Sequence, residues 1–535
     1  MSTTTSAARA QTVLGNDDWW RDAVVYQVYP RSFADGDGDG TGDLSGLRAK
    51  LPYLRKLGID AIWLSPFYTS PLADGGYDVA DYRDVDPRFG TLADFDAMIA
   101  YAHELDIRVI VDLVPNHCSD QHEWFQAALA AGPGSPEREL FHFREGRGDL
   151  PPNDWESIFG GPAWTQTPDG QWYLHLFAPE QPDFNWDNPA VRAEFRDILR
   201  FWLDRGVDGF RIDVAHGMIK ADGLPNVGKA GDERQVMMVG RGELPYFDQD
   251  GVHEIYREWR PILDSYPGGR MAVAEAWVPS PQRLARYIGR DELHQAFNFD
   301  FMMASWDADS FRTIIDKSLM EADLVGAPTT WVLSNHDKHR HVTRYGDGPV
   351  GLLRARTGTL LMLALPGSAY LYNGEELGLN EVLDLPDELR EDPSFLRTGE
   401  SRDGCRVPLP WGGTPADGFA FGPAGAAAPW LPQPASWAAL TAEVQEDDPA
   451  STLNLYRQAL AVRKSNPALG GGAVRWLAAP AGVLAFEREP GIVVVANLSK
   501  VPVSLDAFGG KALVTSGPLT ETGELPVDTA VWLQR

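Results

Sequence analysis

Cysteine is nearly missing from this sequence, with only Cys118 and Cys405 in 535 residues. Two are too few to staple a chain of this length, which excludes a disulfide scaffold and points to a reducing, cytoplasmic compartment. Both are expected to be small buried hydrophobes. Basic charge is short as well: 47 Lys and Arg stand against 76 Asp and Glu, a net charge of −29. That balance argues against nucleic acid and anionic membranes as partners and disfavours a strongly anionic substrate. No apolar run approaches the roughly 20 residues of a membrane span. The Ser-, Thr- and Ala-rich start lacks the apolar core of a secretory signal, so residues 1–17 read as a disordered tail.

What is present is an alternation of short β-branched runs with amphipathic stretches, the pattern of a parallel sheet with helices outside it. Strands are expected at Ala23–Pro30, Ala61–Pro66, Arg108–Val114, Gly209–Val214, Met271–Glu275, Ala296–Phe299, Thr330–Ser334 and Ser368–Tyr372. Between them, Leu44, Leu47, Leu51, Leu54 and Leu57 mark one helix face, which Gly58 ends. Eight such units predict a (β/α)8 TIM barrel, in which chemistry sits at the C-terminal strand ends.

Two stretches break the rhythm. Residues 118–178, rich in Gly, Pro and aromatics, read as an inserted domain after strand 3, and about 379–450 as a second long insertion. The barrel is thus expected over 18–117 and 179–470. From 471 to 535 short alternating strands predict a C-terminal antiparallel β-sandwich.

Three segments place a carboxylate at the end of an apolar run: Gly209-Phe210-Arg211-Ile212-Asp213, Ala274-Glu275-Ala276-Trp277 and Asn335-His336-Asp337. Burying acid groups is costly, so three at strand mouths suggest one shared site. Together with Asp112-Leu113-Val114-Pro115-Asn116-His117, these segments resemble the four signature regions of the α-amylase superfamily, glycoside hydrolase family 13. Gln181-Pro182-Asp183-Phe184-Asn185-Trp186 is similar to the extra region of its oligo-1,6-glucosidase and α-glucosidase branch.

The resemblance implies a catalytic trio. Retaining hydrolysis needs a carboxylate nucleophile and an acid/base carboxyl about 5–5.5 Å away. Asp213 resembles the nucleophile, with Arg211 two residues back on the same strand face to keep it ionised. Glu275 resembles the acid/base, its pKa expected to be raised by the apolar run before it. Asp337 resembles the transition-state stabiliser. The resemblance further implies sugar hydrogen bonds from His117 and His336, and a clamp on the terminal glucose by the Tyr77 ring and the Asp78 carboxylate. Arg402 would close the pocket with Asp78, and Phe177 would form its aromatic wall.

Asp35, Asp37, Asp39 and Asp43 alternate on a glycine-rich loop, with Thr41 offering a backbone carbonyl, a donor set suited to a hard cation. An EF-hand is excluded, since its twelfth position is Gly46. The loop resembles the metal loop of bacterial α-glucosidases and implies structural Ca²⁺ or Mg²⁺, with no organic cofactor.

The expected activity is exo-acting release of glucose from a small neutral α-glucoside by a monomer or homodimer. Linkage is less determined: Val214 leans towards α-1,6 in part of the branch and α-1,4 elsewhere. Phe184 stands where much of the branch has Leu, and Arg406-Val407-Pro408-Leu409-Pro410-Trp411 where it often has Arg-Thr-Pro-Met-Gln-Trp. On balance α-1,4 is expected. Two alternatives stay open: a glucosyl-transferring isomerase, such as a trehalose synthase or sucrose isomerase, and a non-catalytic interaction module.

Overall fold

The computed structural model describes residues 17–228 and 234–535. The expected tail, 1–17, lies outside them except for Asp17. Eight parallel strands form the central sheet: β1 (Val24–Val28), β2 (Ala61–Leu64), β3 (Arg108–Leu113), β4 (Gly209–Ile212), β5 (Met271–Ala274), β6 (Gln295–Ala296), β7 (Thr330–Val332) and β8 (Ser368–Tyr372). Their order is β6-β5-β4-β3-β2-β1-β8-β7, and the ring is drawn shut where the Asn298 N–H donates to the Thr330 carbonyl at 3.2 Å.

The expected strand Ala296–Phe299 is shorter than the sequence suggested. Asn298 accepts a hydrogen bond from the Phe301 N–H and so caps a helical turn, Phe299–Met302, that ends the extended run. Outside the ring, the helix Leu44–Leu57 starts at Asp43, whose side chain accepts from Gly46 N–H, and stops at Gly58, left-handed at φ 100°. Its five leucines are all buried, each such burial contributing about 1.5–3 kcal/mol.

The insertion after β3 holds a helix, Glu123–Ala131, and a three-stranded antiparallel sheet of Phe143–Glu145, Gln171–Leu174 and Trp164–Gln166. A second arm after β4, spanning about 215–251, was not anticipated. Its Leu244, Tyr246 and Phe247 pack against Trp155, Trp164 and Leu176 of the inserted domain. Under this seam the Lys220 ammonium meets the Asp183 carboxylate at 2.8 Å and the Asn116 amide oxygen at 2.9 Å, with both members of the ion pair buried. The insertion after β8 carries the helix Pro393–Thr398 and leads to Arg402.

The C-terminal unit is one five-stranded antiparallel sheet of β9 (Arg475–Trp476), β10 (Val483–Arg488), β11 (Ile492–Asn497), β12 (Lys511–Thr515) and β13 (Thr529–Gln534), ordered β9-β10-β11-β13-β12. Alternate residues serve two cores, as the period of two requires. Phe486, Val494 and Trp532 join the main core, where Trp532 Nε1 donates to the Leu360 carbonyl, while Val493, Val495 and Val531 pack against Val503, Phe508 and Leu525. The second layer of the expected sandwich is thus the two connecting segments 498–510 and 516–528, which flank β12 and are joined by a bridge between Val503 and Leu525.

Candidate active site

A cavity of about 970 Å³ opens at the C-terminal ends of the strands, lined by Asp74, Tyr77, His117, Phe177, Asp213, Glu275, His336, Asp337 and Arg402 among others. Strand register explains the convergence. Ile212 pairs with Ala274, so Asp213 and Glu275 follow at matched positions on neighbouring parallel strands. Asp112 of β3 pairs with Arg211 of β4 in the same way.

The buried Arg211 organises the centre. One nitrogen, Nη1, reaches Asp213 at 2.5 Å and Asp112 at 3.0 Å, while Nη2 reaches Glu275 at 3.0 Å. The two carboxylates therefore sit on the two arms of one guanidinium. Burial pushes Asp213 well above its ordinary pKa, with Glu275 and Asp112 pushing the same way against Arg211. Arg211, expected from sequence to keep Asp213 ionised, is shared among three carboxylates. Asp112, which the sequence analysis did not single out as a site residue, is raised to about 7 by burial, although Arg211, Tyr77 and Trp63 all donate to it.

Glu275 lies in different surroundings from the expected apolar cage. Its Oε2 faces Arg211 and accepts the Val214 N–H at 2.9 Å, and its Oε1 accepts the Trp277 indole N–H at 3.1 Å. Val214 takes φ 42°, a left-handed conformation costly for a β-branched residue, and that turn aims its N–H at the acid.

Asp337 meets Arg402 Nη1 and Arg406 Nη2, each at 3.1 Å, and His336 Nε2 at 3.3 Å. Burial works against its ionisation, yet its pKa is held far below the carboxylate range. Burial pushes His336 itself down to about 3, so the ring is neutral at pH 7 and the pull on Asp337 comes from the arginines. His336 Nδ1 sits 2.7 Å from the Gln27 side-chain amide, and its Nε2 faces Asp337. The Tyr77 ring stacks on His336 with centroids 5.2 Å apart and planes 4° from parallel. Burial likewise pushes His117 down to about 4. Its ring lies between the amides of Asn116 and Gln181 and 5.0 Å from the Phe177 ring.

The Asp78 assignment is corrected. Its carboxylate is fully buried, accepts the N–H groups of Ala73 and Asp74, and is raised to about 6 by burial. The carboxylate that meets Arg402 is Asp74, at 2.7 Å from Nη2, and Asp74 also accepts from the Gln181 amide at 3.1 Å. Asp78 shapes the turn and Asp74 points into the cavity. Arg402 is gripped from behind by Asp392, whose two oxygens take Nη2 at 2.7 Å and Nε at 3.0 Å. Asp74 and Arg406 stood beside the motifs read from sequence; Asp392, ten positions before Arg402, gave no local signal.

On the loop after β1, one carboxylate oxygen each from Asp35, Asp37 and Asp39 lies within 4.8 Å of the others. Three carboxylate oxygens that close can converge on one hard cation, so the donor set fits a divalent ion. Asp43 is engaged otherwise, accepting from Gly36, Asp37 and Gly46 N–H, while Thr41 donates its N–H to Asp39.

Comparison with known proteins agrees with this geometry. Residues 27–472 match the family described as Alpha amylase, catalytic domain. A probable alpha-glucosidase of Rhizobium meliloti is 40% identical over 493 residues, 89% of this chain and 88% of that protein. An oligo-1,6-glucosidase of Parageobacillus thermoglucosidasius is 35% identical over 84% of each. Among solved structures, an alpha-glucosyl transfer enzyme superposes with a TM-score of 0.85 at 38% identity, covering 96% of this chain and 99% of that one. The trehalulose synthase of Pseudomonas mesoacidophila does so with a TM-score of 0.86 at 33% identity, covering 96% and 99%.

Proposed function

The chain belongs to the α-amylase family of glycoside hydrolases, and from that premise we propose that it is a retaining, exo-acting α-glucosidase. It releases glucose from the non-reducing ends of maltose and short α-gluco-oligosaccharides, with α-1,4 linkages favoured over α-1,6. The observation that carries this reading is the pairing of Asp213 and Glu275 on Arg211, beside a cavity wall formed by the Asp74–Arg402 ion pair. A wall of that kind admits a chain end and excludes a chain interior.

In the reaction, an Asp213 oxygen attacks the anomeric carbon while Glu275 gives its proton to the departing oxygen, which leaves with the bonding electron pair. Asp337 stabilises the positive charge that develops on the sugar. Water then enters, Glu275 takes its proton, and the Asp213 ester is released with the starting configuration restored. Tyr77, His117, His336 and Phe177 surround the glucosyl unit.

A second reading, glucosyl transfer in place of hydrolysis, is favoured by the transfer enzyme and the trehalulose synthase among the structural neighbours. Incubation with maltose, isomaltose and sucrose separately decides between them. Free glucose as the main product supports the hydrolase, whereas trehalose, trehalulose or isomaltulose as the main product replaces it.

Asp35, Asp37 and Asp39 support a structural Ca²⁺ or Mg²⁺, which takes no part in the chemistry. The two free, buried cysteines support a cytoplasmic setting. Among the described residues no helix is long and apolar enough to cross a membrane. The monomer or homodimer reading is decided by sedimentation.

A further inference from the structure

A carboxylate offers about four lone-pair sites, two on each oxygen. At Glu275 three of them are met by N–H donors of the protein. Arg211 Nη2, at 3.0 Å, and the Val214 N–H, at 2.9 Å, take Oε2, and the indole N–H of Trp277, at 3.1 Å, takes one site on Oε1. None of these donors can accept a proton in return. The only lone pair of Glu275 without a protein donor among the described residues is the second one on Oε1.

We infer that Trp277 is a positioning residue for the acid/base: its indole N–H fixes the rotation of the Glu275 carboxyl, so that the single open lone pair on Oε1 is where the transferable proton sits. The inference rests on the hydrolase reading above. In the first half-reaction that proton moves from Oε1 to the glycosidic oxygen as the C1–O bond breaks and its electron pair passes to the leaving alcohol. In the second half-reaction the same lone pair accepts the proton of the attacking water. A carboxyl free to rotate would present the proton in several directions, and geometry of this kind is what general acid catalysis depends on.

The surroundings of Trp277 suit a fixed donor. Its ring lies flat on Phe299, with centroids 4.0 Å apart and planes 8° from parallel, which locks the direction of the N–H. The Lys338 ammonium stands 5.4 Å from the ring centroid, and a cation at the ring polarises the indole N–H further. On the opposite side the strained Val214 turn, at φ 42°, holds the second neutral donor in place. Two unrelated devices, a stacked indole and a left-handed turn, therefore converge on one carboxyl.

The test is Trp277→Phe, which keeps an aromatic ring on Phe299 and deletes the donor together with one ring of the indole. It is read as kcat/KM on maltose and on 4-nitrophenyl α-glucoside, whose leaving group needs little protonation. The expected result is a loss of about tenfold or more on maltose, a part of the roughly 10²–10⁴-fold that a general acid contributes. The aryl glucoside should change by less than about twofold, with an unchanged thermal midpoint. Replacing Trp277 by benzothienylalanine, an isostere lacking the N–H, should give the same ratio and serves if the Phe variant folds poorly. Equal losses on both substrates, or wild-type rates on maltose, would overturn the assignment. Failure of the wild type to cleave either α-glucoside would instead overturn the hydrolase reading.

Discussion

Asp74 and Arg402, 328 positions apart in the chain, meet at 2.7 Å in the wall of the cavity. One comes from the turn after β2 and the other from the insertion after β8, so their contact joins the two sides of the β1–β8 neighbourhood over the sugar site. Arg402 is also shared with Asp337 and Asp392. The exclusion of chain interiors therefore hangs on one guanidinium balanced among three carboxylates.

The first expectation separates two neighbouring acids. Asp74→Asn removes the charge facing Arg402 and should lower kcat/KM on maltose about 10- to 100-fold, the range for losing a hydrogen bond to a charged group. Asp78→Asn should cost a few-fold at most. Steady-state kinetics of the two variants check this, and the reverse order would reinstate Asp78 as the clamp.

Much of this was legible in the sequence, and the exceptions have physical reasons. Strands and helix faces follow from short apolar runs and the 3.6 period, which a short window reveals, and the three carboxylates close three of those runs. The choice of Asp74 over Asp78 depends on which side of a glycine turn each carboxylate faces, and the spacing of the two residues does not encode that. The arm 215–251 was missed because its apolar residues, Leu244, Tyr246 and Phe247, follow no period and are buried only by the inserted domain. The polar cage around Glu275 comes from Arg211, Val214 and Trp277, and a strand's own apolar run says nothing about its neighbours.

Roles at the centre can be told apart by leaving group. Asp213→Asn should abolish turnover of all α-glucosides. Glu275→Gln should lose hydrolysis of maltose by at least about 10²-fold more than the first step on an aryl glucoside. Equal losses on the two substrates would reverse the acid assignment.

Lys220 is expected to matter for stability more than for chemistry. Lys220→Met leaves the buried Asp183 carboxylate uncompensated, and breaking such a pair costs about 3–5 kcal/mol. Adding Asp183→Asn should recover part of that loss. Chemical denaturation of the single and double variants measures both, and additive losses would show that the pair is not coupled.

Stability should also carry a pH signature from Glu375, which lies far from solvent beside Glu376. It accepts from the Tyr372 N–H at 2.9 Å and the Tyr456 hydroxyl at 3.2 Å, while Tyr26 and Tyr53 donate to Glu376. Burial pushes Glu375 up to about 8, with Glu376 adding to the rise and Arg340 opposing it. A raised acid binds its proton more tightly in the folded state, so its stabilisation is complete below the unfolded value and is lost as pH rises towards 8. Thermal midpoints of the wild type should fall between about pH 5 and 8 more steeply than those of Glu375→Gln. Parallel profiles would contradict this.

Chelation should destabilise the fold through the loop after β1. With a cation bound at about 100 times its Kd, removal by EDTA costs about 2.7 kcal/mol, seen as a lower thermal midpoint that Ca²⁺ or Mg²⁺ restores. Asp37→Ala should start low and ignore EDTA. No effect of EDTA on the wild type would count against a cation there.

The Lys220–Asp183 pair has a consequence for how this architecture can be recombined. Asp183, just past the inserted domain, accepts that domain's Leu176 N–H and is held by an ammonium that belongs to a different loop, with Gly217 and Asn116 completing its coordination. Transplanting residues 118–183 alone into a relative would carry the Asp183 carboxylate away from Lys220 and leave a charge stranded on each side of the joint. The portable unit is the pair of loops after β3 and β4 taken together, so chimaeras that change aglycone preference should be cut around both.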